Sequence, residues 1–120
     1  MRRALLWGPP VVYMVMIFGL SAQSNPMPAV TERVWDKLLH TIEYGGLALL
    51  FGRALVGEGL SSIAAVIVAI LLTSSYAATD EYHQLFVPLR TADIRDWLAD
   101  TVGATIGAVV YVATRFGRPR

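Results

Sequence analysis

The sequence predicts an all-α integral membrane bundle of four transmembrane helices, with both termini cytoplasmic. Three observations carry that expectation. Of the 120 residues, 55% are hydrophobic and only 16% are charged, against roughly 25% charged in ordinary soluble domains. Mean hydropathy is +0.52. The charges are also excluded from several long apolar stretches, and four spans of about 20 residues would occupy most of the chain. Residues 1–120 therefore read as one membrane domain, with no room for a separate soluble one. A net charge of +1 offers no basic face for nucleic acid. With no cysteine in the chain, disulfides, thiolate metal sites and a cysteine nucleophile are excluded.

The first helix is expected at about residues 4–21, where an apolar run follows Arg2 and Arg3. Pro9 and Pro10 fall in its first half, and proline is best tolerated near a helix start. We read this run as a retained span. A cleaved signal peptide is the competing reading, given the basic lead and the small residues of Ala22-Gln23-Ser24. After a loop containing Asn25, Pro26 and Pro28, a second helix is expected over about 36–56, polar for two turns and then rich in Leu, Ala, Gly and Phe. The third, at about 60–84, begins with 20 residues free of charge, Leu60 to Thr79, and Pro88 opposes its continuation. The fourth, about 93–114, is again polar for two turns and then rich in Gly, Ala and Val. Trp7, Trp35 and Trp97 lie near span ends, where interfacial belts enrich Trp.

Charge placement sets the orientation. With four spans, Arg2, Arg3, Arg53, Arg115, Arg118 and Arg120 fall on one side with Glu58 the only acid. The other side collects four basic residues and eight acids. The arginine-rich side is then the cytoplasmic one, in an inner or plasma membrane.

The acids follow helical spacing. Asp36, His40, Glu43 and Tyr44 are spaced i, i+4, i+7 and i+8 on the second helix, and Asp93, Asp96 and Asp100 are spaced i, i+3 and i+7 on the fourth. Tyr76, Asp80 and Gln84 share a stripe on the third, with Glu81 adjacent. Each stripe reaches roughly 10 Å inward at a rise of about 1.5 Å per residue. Ionisable groups at such depth are costly unless they face one another. The stripes therefore converge on a polar cup open to the outside, its acids offset by Lys37, His40, His83, Arg90 and Arg95. A plain interfacial rim is the bland reading, and it fits Asp36 and Asp93 better than the deeper Glu43 and Asp100.

Three motifs resemble the VanZ-like family of small multi-pass membrane proteins, related to an accessory protein of glycopeptide resistance. They are Asp36-Lys37-Leu38-Leu39-His40 followed by Tyr44, then Glu81-Tyr82-His83-Gln84-Leu85-Phe86-Val87-Pro88-Leu89-Arg90, and then Asp96 and Asp100 ahead of Gly103 and Gly107. The resemblance covers about residues 34–112 and implies recurring polar positions at Asp36, Lys37, His40, Glu81, Gln84, Arg90 and Asp96. Where Leu89 stands the family often has Gly, and where Asp100 stands it often has Asn. The resemblance implies a link to low-level teicoplanin resistance, with no settled reaction.

Three function classes follow. The first is binding or processing of an envelope ligand such as a lipid-linked precursor, or modulation of glycopeptide access to its target. Its candidate ligand-binding residues are Asp36, Lys37, His40, Glu43, Tyr44, Asp80, Glu81, Gln84, Arg90, Asp96 and Asp100. His40 is its candidate general acid or base, since an imidazole titrates near neutrality, with Asp36 or Glu43 orienting it, and Glu81 is a second catalytic candidate. Eight acids on that face repel a phosphate unless they are paired or protonated. The second class is divalent-cation or proton handling, in which carboxylates and His40 supply ligands; no recognised metal spacing is present and no other cofactor is evident. The third is a non-catalytic structural or partner-binding module. It draws on the small-residue series Ala99, Gly103 and Gly107, which is expected to serve packing within the bundle rather than dimerisation. Gly45 and Gly46 are expected to admit the third helix.

Overall fold

The computed structural model describes residues 1–21, 33–87 and 94–116. These residues form four helices: α1 Arg2–Ser21, α2 Arg33–Gly57, α3 Ser62–Gln84 and α4 Ile94–Phe116. Boundaries fall within three residues of those the sequence predicts. Of the four, α1, α3 and α4 are long and apolar enough to cross a membrane.

α1 starts earlier than expected, at Arg2, and runs unbroken through Pro9 and Pro10. A proline at position 9 cannot donate to the carbonyl of Leu5. The Arg53 guanidinium of α2 takes over that role, Nη1 donating to the Leu5 oxygen at 2.9 Å. A basic residue from the neighbouring helix thus satisfies a carbonyl that the proline leaves without its usual donor. Arg2 donates to the Gly57 carbonyl and Arg3 pairs with Glu58 at 3.3 Å, fixing the start of α1 to the end of α2.

The turn after α2 is a Schellman-type stop. Leu60 N–H donates to the Leu55 carbonyl at 3.1 Å and Gly59 N–H to that of Val56 at 3.0 Å, with Gly59 at φ +102°. That left-handed backbone favours glycine. Ser61 then caps α3, its side chain accepting from Ala64 N–H at 3.3 Å, so α3 starts at Ser62 rather than at Leu60.

Neighbouring contacts define an up-down-up-down bundle. Tyr13 donates to the Glu43 carbonyl at 2.6 Å and Trp7 packs on Phe51, so α1 and α2 run antiparallel. Tyr44 meets Asp80 across α2 and α3. α2 and α4 run parallel, because His40 meets Asp100 and Gly52 lies against Tyr111. α2 touches all three other helices, while α1 meets α3 lightly and does not meet α4. Arg2, Arg3, Arg53, Glu58 and Arg115 share one end of the bundle, and the buried acids lie toward the other.

The core joins a few large side chains, Ile17, Tyr44, Leu47, Phe51 and Leu55, to many small ones. Ala48, Ala54, Ala65, Ala69, Ala77, Ala104 and Ala108 have no exposure, whereas Val15, Ile63, Leu71, Val102 and Ile106 are more than half exposed. That arrangement inverts the one water selects and suits a lipid solvent. The closest approach is between α2 and α4, not α3 as the glycine pair predicts. A Cβ on Gly45 would lie 3.1 Å from the Gly103 carbonyl, and Cβ atoms on Gly103 and Gly107 would overlap the backbones of Thr41 and Gly45. Gly46 is covered by the Tyr13 ring of α1. The series on α4 thus packs within the bundle, as expected. Trp97, expected as an interfacial anchor, instead packs against the core and donates Nε1–H to the Ser74 carbonyl at 3.0 Å.

Gly107→Ala is expected to destabilise the bundle by about 1–3 kcal/mol, since the added methyl meets backbone that cannot turn aside. Gly19→Ala, where a Cβ meets nothing within 4 Å, should be neutral or stabilising by up to about 1 kcal/mol. Unfolding in detergent, followed by circular dichroism, compares the two.

Candidate functional site

Three helices bring their polar stripes to one end of the bundle. α2 contributes His40, 7% exposed, and Tyr44, fully buried. α3 contributes Asp80, Glu81 and Gln84, all buried, and α4 contributes Asp96 together with Asp100, which has no exposure. Counted from the start of α4, Asp100 lies roughly 9 Å along the helix axis. Glu43 is half-buried, and its charge acts on Tyr13, Tyr44 and Tyr76.

Two hydrogen bonds organise the cluster. His40 Nδ1 lies 2.8 Å from Asp100 Oδ1, and the Tyr44 hydroxyl donates to Asp80 Oδ2 at 2.7 Å. The His40 and Tyr44 rings, one turn apart, stack with centroids 6.1 Å apart and planes 17° from parallel. One face of α2 therefore serves both an α3 and an α4 carboxylate. With Nδ1–H donating to Asp100, a neutral His40 carries its lone pair on Nε2, which can then serve as a general base. Asp80 Oδ1 and Asp100 Oδ2 are buried and have no hydrogen-bond partner among the described residues. His40, Glu81 and Asp100 each place a ligand atom within 4.8 Å of those of the other two.

Other predicted residues fall elsewhere. Asp36 and Lys37 sit in the opening turns of α2, with side chains outside the described ones, and Arg90 and Asp93 lie outside the described residues altogether. Arg95 is exposed. His83, expected as a wet interfacial residue, is half-buried and stacks on Phe18 of α1 at 4.4 Å, away from the α2 face that carries His40. Tyr76, on the stripe of Asp80 as expected, has its ring 6.3 Å from that of Tyr44 and also donates to the Met14 carbonyl of α1 at 2.6 Å. The buried face of α3 includes Thr73, Ala77, Asp80, Glu81 and Gln84. The spacing of Thr73 and Ala77 ahead of Asp80 is the signal that could have placed it.

A family model described as VanZ/LLP1 matches residues 8–115. The chain belongs to the VanZ/LLP1 family. No curated protein and no solved structure matches it. The VanZ/LLP1 match spans all four helices, so the motifs on α2, α3 and α4 that carry the resemblance are those whose described residues meet in the bundle.

Tyr44→Phe removes one of the two organising hydrogen bonds and is expected to cost about 1 kcal/mol, the scale of interhelical polar contacts in membrane proteins. Tyr82→Phe, at a position 66% exposed, should change stability little. Detergent-solubilised variants unfolded side by side give the difference.

Proposed function

We propose that this VanZ/LLP1 protein is a four-span protein of the inner or plasma membrane that binds the head group of a membrane-borne, lipid-linked envelope ligand and thereby contributes to teicoplanin resistance. The observation that carries this reading is the burial of His40, Tyr44, Asp80, Glu81, Asp96 and Asp100 together on three helices, at the end opposite Arg2, Arg3, Arg53 and Arg115. By the positive-inside rule the arginine end is cytoplasmic, so both termini are cytoplasmic and the polar site opens to the outer face. α1 is retained as the first span, and its contacts with α2 support that. α2 is the span that hydropathy alone misses, and its central position supports counting it. It touches every other helix, and its Gly45 and Gly46 lie against Gly103 of α4 and Tyr13 of α1.

Ionisable side chains at intramembrane depth are retained where they handle a ligand, an ion or a proton. The His40–Asp100 pair gives the site an oriented imidazole, and Glu81 stands beside it. In this reading His40 and Glu81 contact the polar head group while the ligand's lipid portion stays in the bilayer.

Expression in a teicoplanin-sensitive Gram-positive host tests the reading. The wild type should raise the inhibitory concentration several-fold over empty vector, and His40→Gln should abolish the increase at equal membrane abundance. Equal sensitivity of wild type and empty vector removes the resistance role. A reporter fused to the C-terminus should be active only in its cytoplasmic form.

A further inference from the structure

We infer that His40, Glu81 and Asp100 bind a single divalent first-row transition cation at the outer end of the bundle. The inference deepens the reading above and rests on it for the identity of the ligand the cation would meet. Four features argue for it.

The first is convergence from three separate helices. His40 comes from α2, Glu81 from α3 and Asp100 from α4, and one ligand atom of each lies within 4.8 Å of the other two. A cation with bonds of about 2.0–2.2 Å needs ligand atoms roughly 3–4 Å apart, a contraction that side-chain rotation supplies. The 2.8 Å separation of His40 Nδ1 and Asp100 Oδ1 is already close to one edge of such a polyhedron. The proton shared by that pair and the cation are therefore alternative occupants of the same place.

The second is unused valence. Asp100 Oδ2 and Asp80 Oδ1 are buried without a hydrogen-bond partner among the described residues, while Asp100 is 0% and Asp80 4% exposed. A buried carboxylate oxygen without a donor is costly. A cation bound by Asp100 offsets that cost directly.

The third is charge. Asp80, Glu81 and Asp100 bring three carboxyl groups to the neighbourhood of one imidazole. Water can donate hydrogen bonds to them but cannot lower their summed charge. A divalent ion coordinates the carboxylate oxygens directly and lowers that charge, which makes the site more favourable to an anionic head group.

The fourth is donor type. One imidazole nitrogen with carboxylate oxygens suits Mn²⁺, Fe²⁺ or Zn²⁺ better than the all-oxygen shells of Mg²⁺ and Ca²⁺.

The test uses the full chain, purified in detergent, treated with chelator and titrated with Mn²⁺ while electron paramagnetic resonance reads the free ion. About one Mn²⁺ per chain is expected, with Glu81→Gln and Asp100→Asn each weakening binding about tenfold or more. Glu58→Gln, at the opposite end, should bind as the wild type does. Circular dichroism establishes that each variant is helical, and if Asp100→Asn does not fold, Glu81→Gln decides alone. Absence of stoichiometric binding by the wild type, or wild-type binding by Glu81→Gln, overturns the inference. Teicoplanin protection without Mn²⁺ binding also overturns it and leaves the ligand reading standing. Mn²⁺ binding without protection supports the cation site and removes the ligand reading.

Discussion

A carboxylate with no access to solvent must find its partners inside the protein, and Asp100 is such a group. Its hydrogen bond to His40 fixes the rotation of α4 against α2. The Tyr44–Asp80 bond, one turn along α2, fixes α3 against the same helix. Rotating any of the three about its own axis by half a turn would carry an acid toward lipid, at a cost of roughly 2.5–3.5 kcal/mol at the bilayer centre even on the gentler scales. The polar end of the molecule thus sets the geometry that the apolar remainder follows.

That remainder follows by close approach. Where a bilayer is the solvent, apolar side chains gain little by leaving it, so contact area and interhelical hydrogen bonds hold the helices together. Gly45, Gly103 and Gly107 let α2 and α4 meet backbone to backbone, and buried alanines do the same work around the rest of the core. Many large aliphatic side chains, Val15, Ile63 and Leu71 among them, are left outside. α1 joins through hydroxyl and guanidinium donors, with Tyr13 and Tyr76 spanning to and from it and Arg53 replacing the donor that Pro9 lacks.

Much of this was legible in the chain. Helix boundaries follow from the apolar runs and their punctuation, and His40, Tyr44, Asp80, Glu81, Gln84, Asp96 and Asp100 were identifiable as inward positions because acids at helical spacing have few other places to go. The misreadings share one cause. Trp97, His83 and the Gly45-Gly46 pair can each face more than one neighbour, and spacing within a helix says nothing about which neighbour stands there. Pro9 and Pro10 fall inside α1 as expected, but the donor that serves the Leu5 carbonyl comes from a residue more than forty positions away.

The sequence by itself determined the apolar, membrane-helix character of the chain, the number of helices and the charged stripes on α2, α3 and α4, because these depend on composition and on the helical period. Tertiary structure alone decided that α2 is the central helix, that it meets α4 through glycine and α1 through tyrosine, and that His40 pairs with Asp100 while Tyr44 pairs with Asp80. Those outcomes depend on the order in which helices surround one another, which is set by the mutual fit of four surfaces and written in no single one of them.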